Sequence, residues 1–241
     1  MQFTGKRILV TGAGKGIGNA TARFLAAKGA TVVASSRSAD DLAALAADID
    51  CETLPCDVED QAAAAEMAAA ALPIHALVNN AGTTTQESFL DSKLDSMQQI
   101  LAVNTLAPYT IAQIVARDMV ARGEGGAIVN VSSIAAKIGF ADHTAYCASK
   151  SALDGITRVM AIELGPHGIR VNSVNPAITL TPMAVKAWSD PAKSDPVKAR
   201  IPLGRFIEPE EIAATIAYLL SDDSSMTTGQ SLVIDGGMLI S

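Results

Sequence analysis

Short runs of aliphatic and β-branched residues alternate with longer stretches whose apolar positions recur at helical spacing. The strand pattern falls at residues 7–11, 31–35, 52–56, 75–79, 127–131, 169–174 and 231–235. Helical pattern fills 17–28, 40–47, 59–71, 94–122, 145–164 and 208–220. The punctuation agrees: Gly29 follows the first helix as a C-cap, Pro73 closes an Ala-rich one, and Gly123-Glu124-Gly125-Gly126 ends the longest. Strand and helix alternating in this way form βαβ units around a parallel sheet. Residues 179–200 depart from the rhythm. They contain prolines and lysines, are weakly periodic and carry the only Trp, so a loop–helix excursion is expected there. With no linker and no shift in composition, the chain reads as one doubly wound α/β domain over 1–241.

Apolar residues make up 49% of the chain and charged ones 18%, enough to bury a sizeable core and too few charges for disorder. No uninterrupted apolar run reaches the ~18 residues of a membrane span, and the residues before Ile8 leave no room for a secretory signal. Three cysteines, Cys51, Cys56 and Cys147, do not make a disulfide framework, so a reducing cytoplasm is the expected location. A net charge of −7 argues against a nucleic-acid partner. His75, His143 and His167 are scattered and no Cys-x-x-Cys occurs, so no metal site is expected.

Thr11-Gly12-Ala13-Gly14-Lys15-Gly16-Ile17-Gly18 joins the first strand to the first helix. Glycines there let the backbone turn tightly and approach a pyrophosphate, and the helix N-terminus offers free N–H groups. The end of the second strand reads Ser35-Ser36-Arg37, with the first acid delayed to Asp40. A carboxylate there would accept the ribose 2′-hydroxyl of NAD, whereas Arg37 and Lys15 suit a 2′-phosphate, so NADP(H) is the expected cofactor. Asp57 and Val58 follow the third strand, where the carboxylate suits either an adenine amino group or a helix N-terminus. Asn79-Asn80-Ala81-Gly82 ends the fourth strand beside the same crevice, with amides able to tie neighbouring loops together.

Tyr146 and Lys150 stand at i and i+4 of a helix, on one face. An ammonium ~4 Å from a phenol, at an effective dielectric of 20, favours the phenolate by about 4 kcal/mol, roughly 3 pKa units. That predicts a Tyr146 pKa lowered into the range useful for proton transfer. Ser133 lies just past the strand at 127–131, where its hydroxyl would meet a carbonyl oxygen as charge builds on it; Ser132 is its rival. Asn104 interrupts an apolar helix face and either kinks the helix or holds a water behind Lys150.

These pieces together resemble the short-chain dehydrogenase/reductase family across essentially the whole chain. The resemblance implies a three-layer Rossmann fold with a seven-stranded parallel sheet and a homotetramer built on the two long helices and the last strand. It implies that Tyr146 donates the proton, Ser133 polarises the carbonyl, Lys150 binds the nicotinamide ribose and lowers the Tyr pKa, and Asn104 supports a proton relay. The family's Ser-to-Tyr spacing selects Ser133 over Ser132. Its Pro-Gly-x-x-x-Thr motif reads Pro176-Ala177-Ile178-Thr179-Leu180-Thr181 here, which keeps Pro176, Ile178 and Thr181 as cofactor contacts. Within the family the likeness is to tetrameric NADPH carbonyl reductases acting on ketoses, polyols and dicarbonyls. It adds His143 and Trp188 as substrate residues, each with a plainer alternative: a loop histidine holding a backbone carbonyl, and a core-covering aromatic. Ile134 stands where the sugar-reducing relatives have a glutamine, so a substrate less polar than a pentulose is also open. Oxidation of an aldose at C1, 3-oxoacyl reduction and non-catalytic NADP binding are the rival readings.

Overall fold

Ile8 and Val10 face one way from the first strand and Leu9 the other, yet all three are fully buried. The same holds for Ala76, Val78 and Leu77, so the sheet is covered on both faces, and its strands read as unbroken apolar runs for that reason. The computed structural model describes residues 1–241, the side chains of Met183 and Ala187 apart. The strands are β1 (Arg7–Thr11), β2 (Thr31–Ser36), β3 (Glu52–Pro55), β4 (Ala76–Asn79), β5 (Gly126–Val131), β6 (Ile169–Pro176) and β7 (Ser231–Ile234). They form the expected seven-stranded parallel sheet, in the order β3-β2-β1-β4-β5-β6-β7.

The helices are α1 (Gly16–Ala27), α2 (Ala39–Ile49), α3 (Gln61–Ala71), α4 (Leu94–Leu101), α5 (Ala107–Arg122), α6 (Thr144–Leu164), α7 (Pro182–Ala187), α8 (Pro191–Lys198) and α9 (Pro209–Leu220). Leu25 of α1, Leu42 and Leu45 of α2 and Ile212 and Ile216 of α9 pack on the Ile8/Val10 face. Met67 of α3, Ile111, Val115 and Met119 of α5 and Ala161 of α6 pack on the Leu9 face. Because the chain builds outward from β1 to β3 and then returns to place β4 on the other side of β1, the loops above β1 and β4 part. A crevice opens at that reversal.

Two departures from the expected elements have physical causes, while the excursion after β6 takes the expected form. The 94–122 helix contains a π-helical segment, Ala102–Leu106, where α4 passes into α5. By length and composition this helix would pass for a membrane span, but Val103, Ala107, Ile111, Val115 and Met119 lie in the core. Strand β6 runs on to Pro176 through Asn172, Ser173 and Asn175, polar side chains that are buried and find partners inside the protein. The excursion after β6 folds into α7 and α8.

Gly12 and Gly16 take positive φ values of 65° and 57°, the tight turn expected between β1 and α1. Gly18 does something else: a methyl there would overlap the Gly12 carbonyl and the Asn80 amide, so its lack of a side chain lets α1 sit against β1 and β4. A Gly18→Ala variant has no flexible neighbour to displace, and overpacking of this kind costs about 1–3 kcal/mol. Its Tm should fall by roughly 3–10 °C; an unchanged melting curve by calorimetry would remove Gly18 from this packing role.

Candidate active site

The crevice is a cleft of about 510 Å³ above the C-terminal ends of β1, β2, β3 and β4. Gly12, Lys15, Gly16 and Ile17 form its floor at the start of α1. Ser36 and Arg37 line the side above β2, and Asp57 and Val58 the side above β3. Asn80, Ala81 and Gly82 line the β4 side, with Thr181 opposite at the start of α7. The Thr11 hydroxyl accepts from the Asn80 and Ala81 N–H groups at 3.0 and 3.1 Å, and the Asn80 amide donates to the Thr11 and Gly12 carbonyls. Asn80 therefore does tie two loops together.

The cleft fits a dinucleotide on two observations. Lys15, the residue before α1, places no side-chain cap on the helix, leaving its first N–H groups free toward the floor. The Ser35 hydroxyl lines the cleft, buried and without a hydrogen-bond partner. Lys15 Nζ lies 3.0 Å from Asp41 Oδ2, and that ammonium holds the Asp41 carboxyl below its usual range. Arg37 Nη1 stands 4.0 Å from Asp57 Oδ2.

Of the expected cofactor contacts, Gly18, Pro176, Ile178, Tyr146 and Lys150 do not line this cleft. Gly18 is walled off behind Gly12 and Asn80. Pro176 is buried at the end of β6 opposite Ile234, and the Ile178 carbonyl accepts from Ile207 N at 3.0 Å. The structural alternative for Asp57 finds support: its Oδ1 accepts from Glu59 N at 3.1 Å in the turn before α3, while Asp60 caps the helix itself, accepting from Ala62 and Ala63 N. The acid nearest the expected phosphate site is Asp41 rather than Asp40, since the first turn of α2 faces Asp41 into the cleft.

Past Gly82 lies the expected catalytic group. A methyl on Gly82 would stand 3.4 Å from Asn104 Oδ1 and 3.6 Å from Lys150 Nζ, so both stand just past the cleft's inner end. Tyr146 is in the first turn of α6, and Ser133 follows β5. The Ser133 hydroxyl stands beside the Tyr146 phenol, where it favours the ionised form, and it accepts from Ala135 N at 3.1 Å. Ser132 turns the other way and donates to the Lys150 carbonyl, so the structure too favours Ser133.

Lys150 is 4% exposed. Its Nζ donates to the Val131 carbonyl at 2.8 Å and lies 5.7 Å from the centre of the Tyr146 ring. The expected lowering of the Tyr146 pKa by Lys150 does not occur in this arrangement. Burial pushes the phenol above its ordinary value, with the Ser133 hydroxyl opposing it. Burial also brings the Lys150 ammonium down to about 8, with Asp154 opposing it. The ammonium's hydrogen bond goes to the Val131 carbonyl, and burial is what sets the direction of the phenol's shift.

Asn104 occupies the π-helical segment, fully buried. It accepts from Thr83 N at 2.8 Å and donates to the Thr83 carbonyl at 2.9 Å and to Ser149 Oγ at 3.0 Å. It clamps the loop after β4 onto α6, a role that only its local helix irregularity hinted at. His143 lies beside Tyr146, ring centroids 6.3 Å apart, and its Nδ1 donates to the Ala141 carbonyl at 2.7 Å. Trp188 packs on Phe206, centroids 5.4 Å apart, against the cluster of Ile134, Ile201 and Met238. The core-covering alternative is the contact Trp188 makes here.

Comparison with known proteins agrees with this geometry. A family profile described as Enoyl-(Acyl carrier protein) reductase matches residues 12–239. The chain is 48% identical to L-xylulose reductase of Bos taurus over 240 residues, 99% of this chain and 98% of that protein. It is 41% identical to Carbonyl reductase [NADPH] 2 of Sus scrofa, over 100% of this chain and 99% of that one. A solved short-chain type dehydrogenase/reductase from Mycobacterium marinum superposes with a TM-score of 0.91 at 37% identity, covering 100% of this chain and 98% of the other. The chain belongs to the short-chain dehydrogenase/reductase family. For a member of that family, the residues not anticipated from sequence are Asp41, Thr83, Asp154 and Asn175. Asp154 had a legible signal, a carboxylate at i+4 from Lys150; the other three are placed by tertiary contacts alone.

Proposed function

We propose that this chain is an NADP(H)-dependent carbonyl reductase, moving hydride between nicotinamide and the carbonyl or secondary-alcohol carbon of a small ketose, polyol or dicarbonyl. The observation that carries the reading is the meeting of the Ser133 hydroxyl, the Tyr146 phenol and the Lys150 ammonium at the inner end of the cleft. A dinucleotide would be held along Gly12–Ile17, Ser36, Arg37 and Asn80–Gly82, and when bound would supply or receive the hydride. Tyr146 gives its proton to the carbonyl oxygen in the reducing direction, and its raised pKa keeps that proton in place at neutral pH. Ser133 donates to the same oxygen as negative charge grows on it. Lys150, fixed by the Val131 carbonyl, provides the local positive charge, and Asn104 keeps the Thr83 backbone against α6 so that the cleft floor and Tyr146 hold one spacing.

NADP(H) rather than NAD(H) is supported by Arg37 and Lys15 on the rim and by the names of relatives such as the NADPH carbonyl reductase. Ile134 is buried in the apolar cluster that Trp188 covers, so it offers no partner to a substrate hydroxyl. Each hydroxyl left unpaired there costs about 1–3 kcal/mol, which favours a dicarbonyl over a pentulose. NADPH consumption across diketones, ketoses and aldoses tests this order. The same physical reading extends to assembly, which we propose is a homotetramer. Leu106 at the end of the π-helical segment, Tyr109 on α5 and Val159 and Ile162 on α6 stay exposed, Ile162 at 75%, as do Leu232 on β7 and Ile240 after it.

On the best substrate, Tyr146→Phe should lower kcat by roughly 10²–10⁴-fold while NADPH still binds, as judged by its fluorescence; near-wild-type turnover would refute the catalytic reading. Arg37→Asp should swing the NADPH-to-NADH ratio of kcat/KM toward NADH by roughly 10- to 100-fold, the worth of one charge-assisted hydrogen bond. An unmoved ratio would count against a 2′-phosphate site. Sedimentation should give the mass of four chains, reduced by Ile162→Asp; a wild-type monomer would end the tetramer proposal.

A further inference from the structure

Among the described residues, Lys150 and Asp154 are the charged side chains that are fully buried, one helical turn apart on α6. Asp154 is 3% exposed, and the mechanism above does not use it. A buried carboxylate is costly unless its oxygens are occupied, and replacement of such groups by apolar ones is often harmless to stability. What occupies Asp154 is informative. Its Oδ1 accepts from Ser173 Oγ at 2.9 Å, and its Oδ2 accepts from Asn175 Nδ2 at 2.9 Å. The same Asn175 amide donates to the Ser133 carbonyl at 2.9 Å. Lys137 Nζ stands 3.4 Å from Asp154 Oδ2.

Ser133 and Lys137 bound one short piece of chain, the single 3₁₀ turn Ile134–Ala136 that Ser133 caps. One carboxylate therefore fastens the Ser133 segment at both ends, through Asn175 at its start and Lys137 at its finish. We propose that Asp154 is a positioning residue of the reductase centre, holding the Ser133 segment against α6 and supplying the negative charge that keeps the buried Lys150 ammonium charged. This rests on the reading of Ser133, Tyr146 and Lys150 given above. The charged or polar groups facing Asp154 are Lys137, Lys150, Ser173 and Asn175; those facing Lys150 are Asp154, the Val131 carbonyl and the Tyr146 ring.

The sign of the test follows. Lys150 loses its charge as pH rises through about 8, and Asp154 acts to delay that loss. In carbonyl reduction at saturating NADPH, Asp154→Asn should move the alkaline limb of the kcat/KM profile to lower pH, by on the order of one unit. Lys137→Gln removes a cation that competes for Asp154 and should move the limb the other way by a smaller amount. Opposite shifts from two variants of one contact would not arise from loosened packing. Tyr146→Phe, run beside them, reports on the catalytic reading itself. If Tyr146→Phe is inactive and neither variant moves the limb, or Asp154→Asn loses activity uniformly at all pH values, the inference is overturned and the site reading stands. If Tyr146→Phe retains activity, both fall. Should Asp154→Asn not fold, Lys137→Gln decides alone: an upward shift supports the inference and an unmoved limb overturns it.

Discussion

Taking the Lys150 ammonium out of water removes solvation that only polar neighbours can replace. Those neighbours are the Val131 carbonyl at 2.8 Å and, a turn away, Asp154. Val131 is the last residue of β5, so the lysine's main hydrogen bond is also the tie between α6 and the strand that delivers Ser133. The distance from phenol to serine is thus fixed by how a cation is compensated. A lysine free to swing would leave α6 tied to the Ser133 strand by the Ser132–Lys150 and Asn130–Thr157 hydrogen bonds and, through Asn175, by Asp154. Tyr146 is not acidified because burial dominates the phenol, with the Lys150 Nζ 5.7 Å from the ring centre.

Much of this was readable from the chain because two periodicities are strong in it. Runs such as Ile8-Leu9-Val10 announce strands packed on both faces, and the Tyr146-to-Lys150 spacing puts two groups on one helix face whatever surrounds them. What escaped depends on where side chains turn once packed. The strand expected at 169–174 runs on to Pro176, because Asn175 is satisfied inside the sheet by Ser173 and Asp154. Asn104 marks an irregularity in 94–122, and the π-helical segment lies there, but its partner Thr83, 21 residues away, is placed by tertiary packing. Asp40 and Asp41 are equivalent in sequence; the pitch of α2 decides which one meets Lys15.

At the rim of the cleft both cations are already paired, Lys15 with Asp41 and Arg37 with Asp57. Exposed pairs of this kind contribute little, so transferring the cations to a phosphate costs little either. The carboxylates keep two long side chains near the cleft mouth and balance charge that would otherwise repel across it. An acid beside a phosphate-binding lysine is therefore no evidence for a ribose 2′-hydroxyl partner by itself. Its meaning depends on whether its charge is already matched, and here it is.

The family profile carries the name of an enoyl reductase, while the relatives aligned over the whole chain are named for ketose and carbonyl reduction. A shared fold supports either, since the sheet and the cleft are common to all of them. The Ser133 and Tyr146 hydroxyls recognise an oxygen and say nothing about the carbon skeleton bearing it. Discrimination has to come from side chains beyond them; the nearest along the chain is Ile134, buried with Ile201, Phe206 and Met238 under Trp188. In the proposed reading that cluster gives no attraction to a substrate hydroxyl and penalises each one left without a partner. The polar centre then fixes only the type of reaction. The proposed substrate range rests on this cluster, drawn from the turn after β5, the loops after α7 and α8 and the chain after β7.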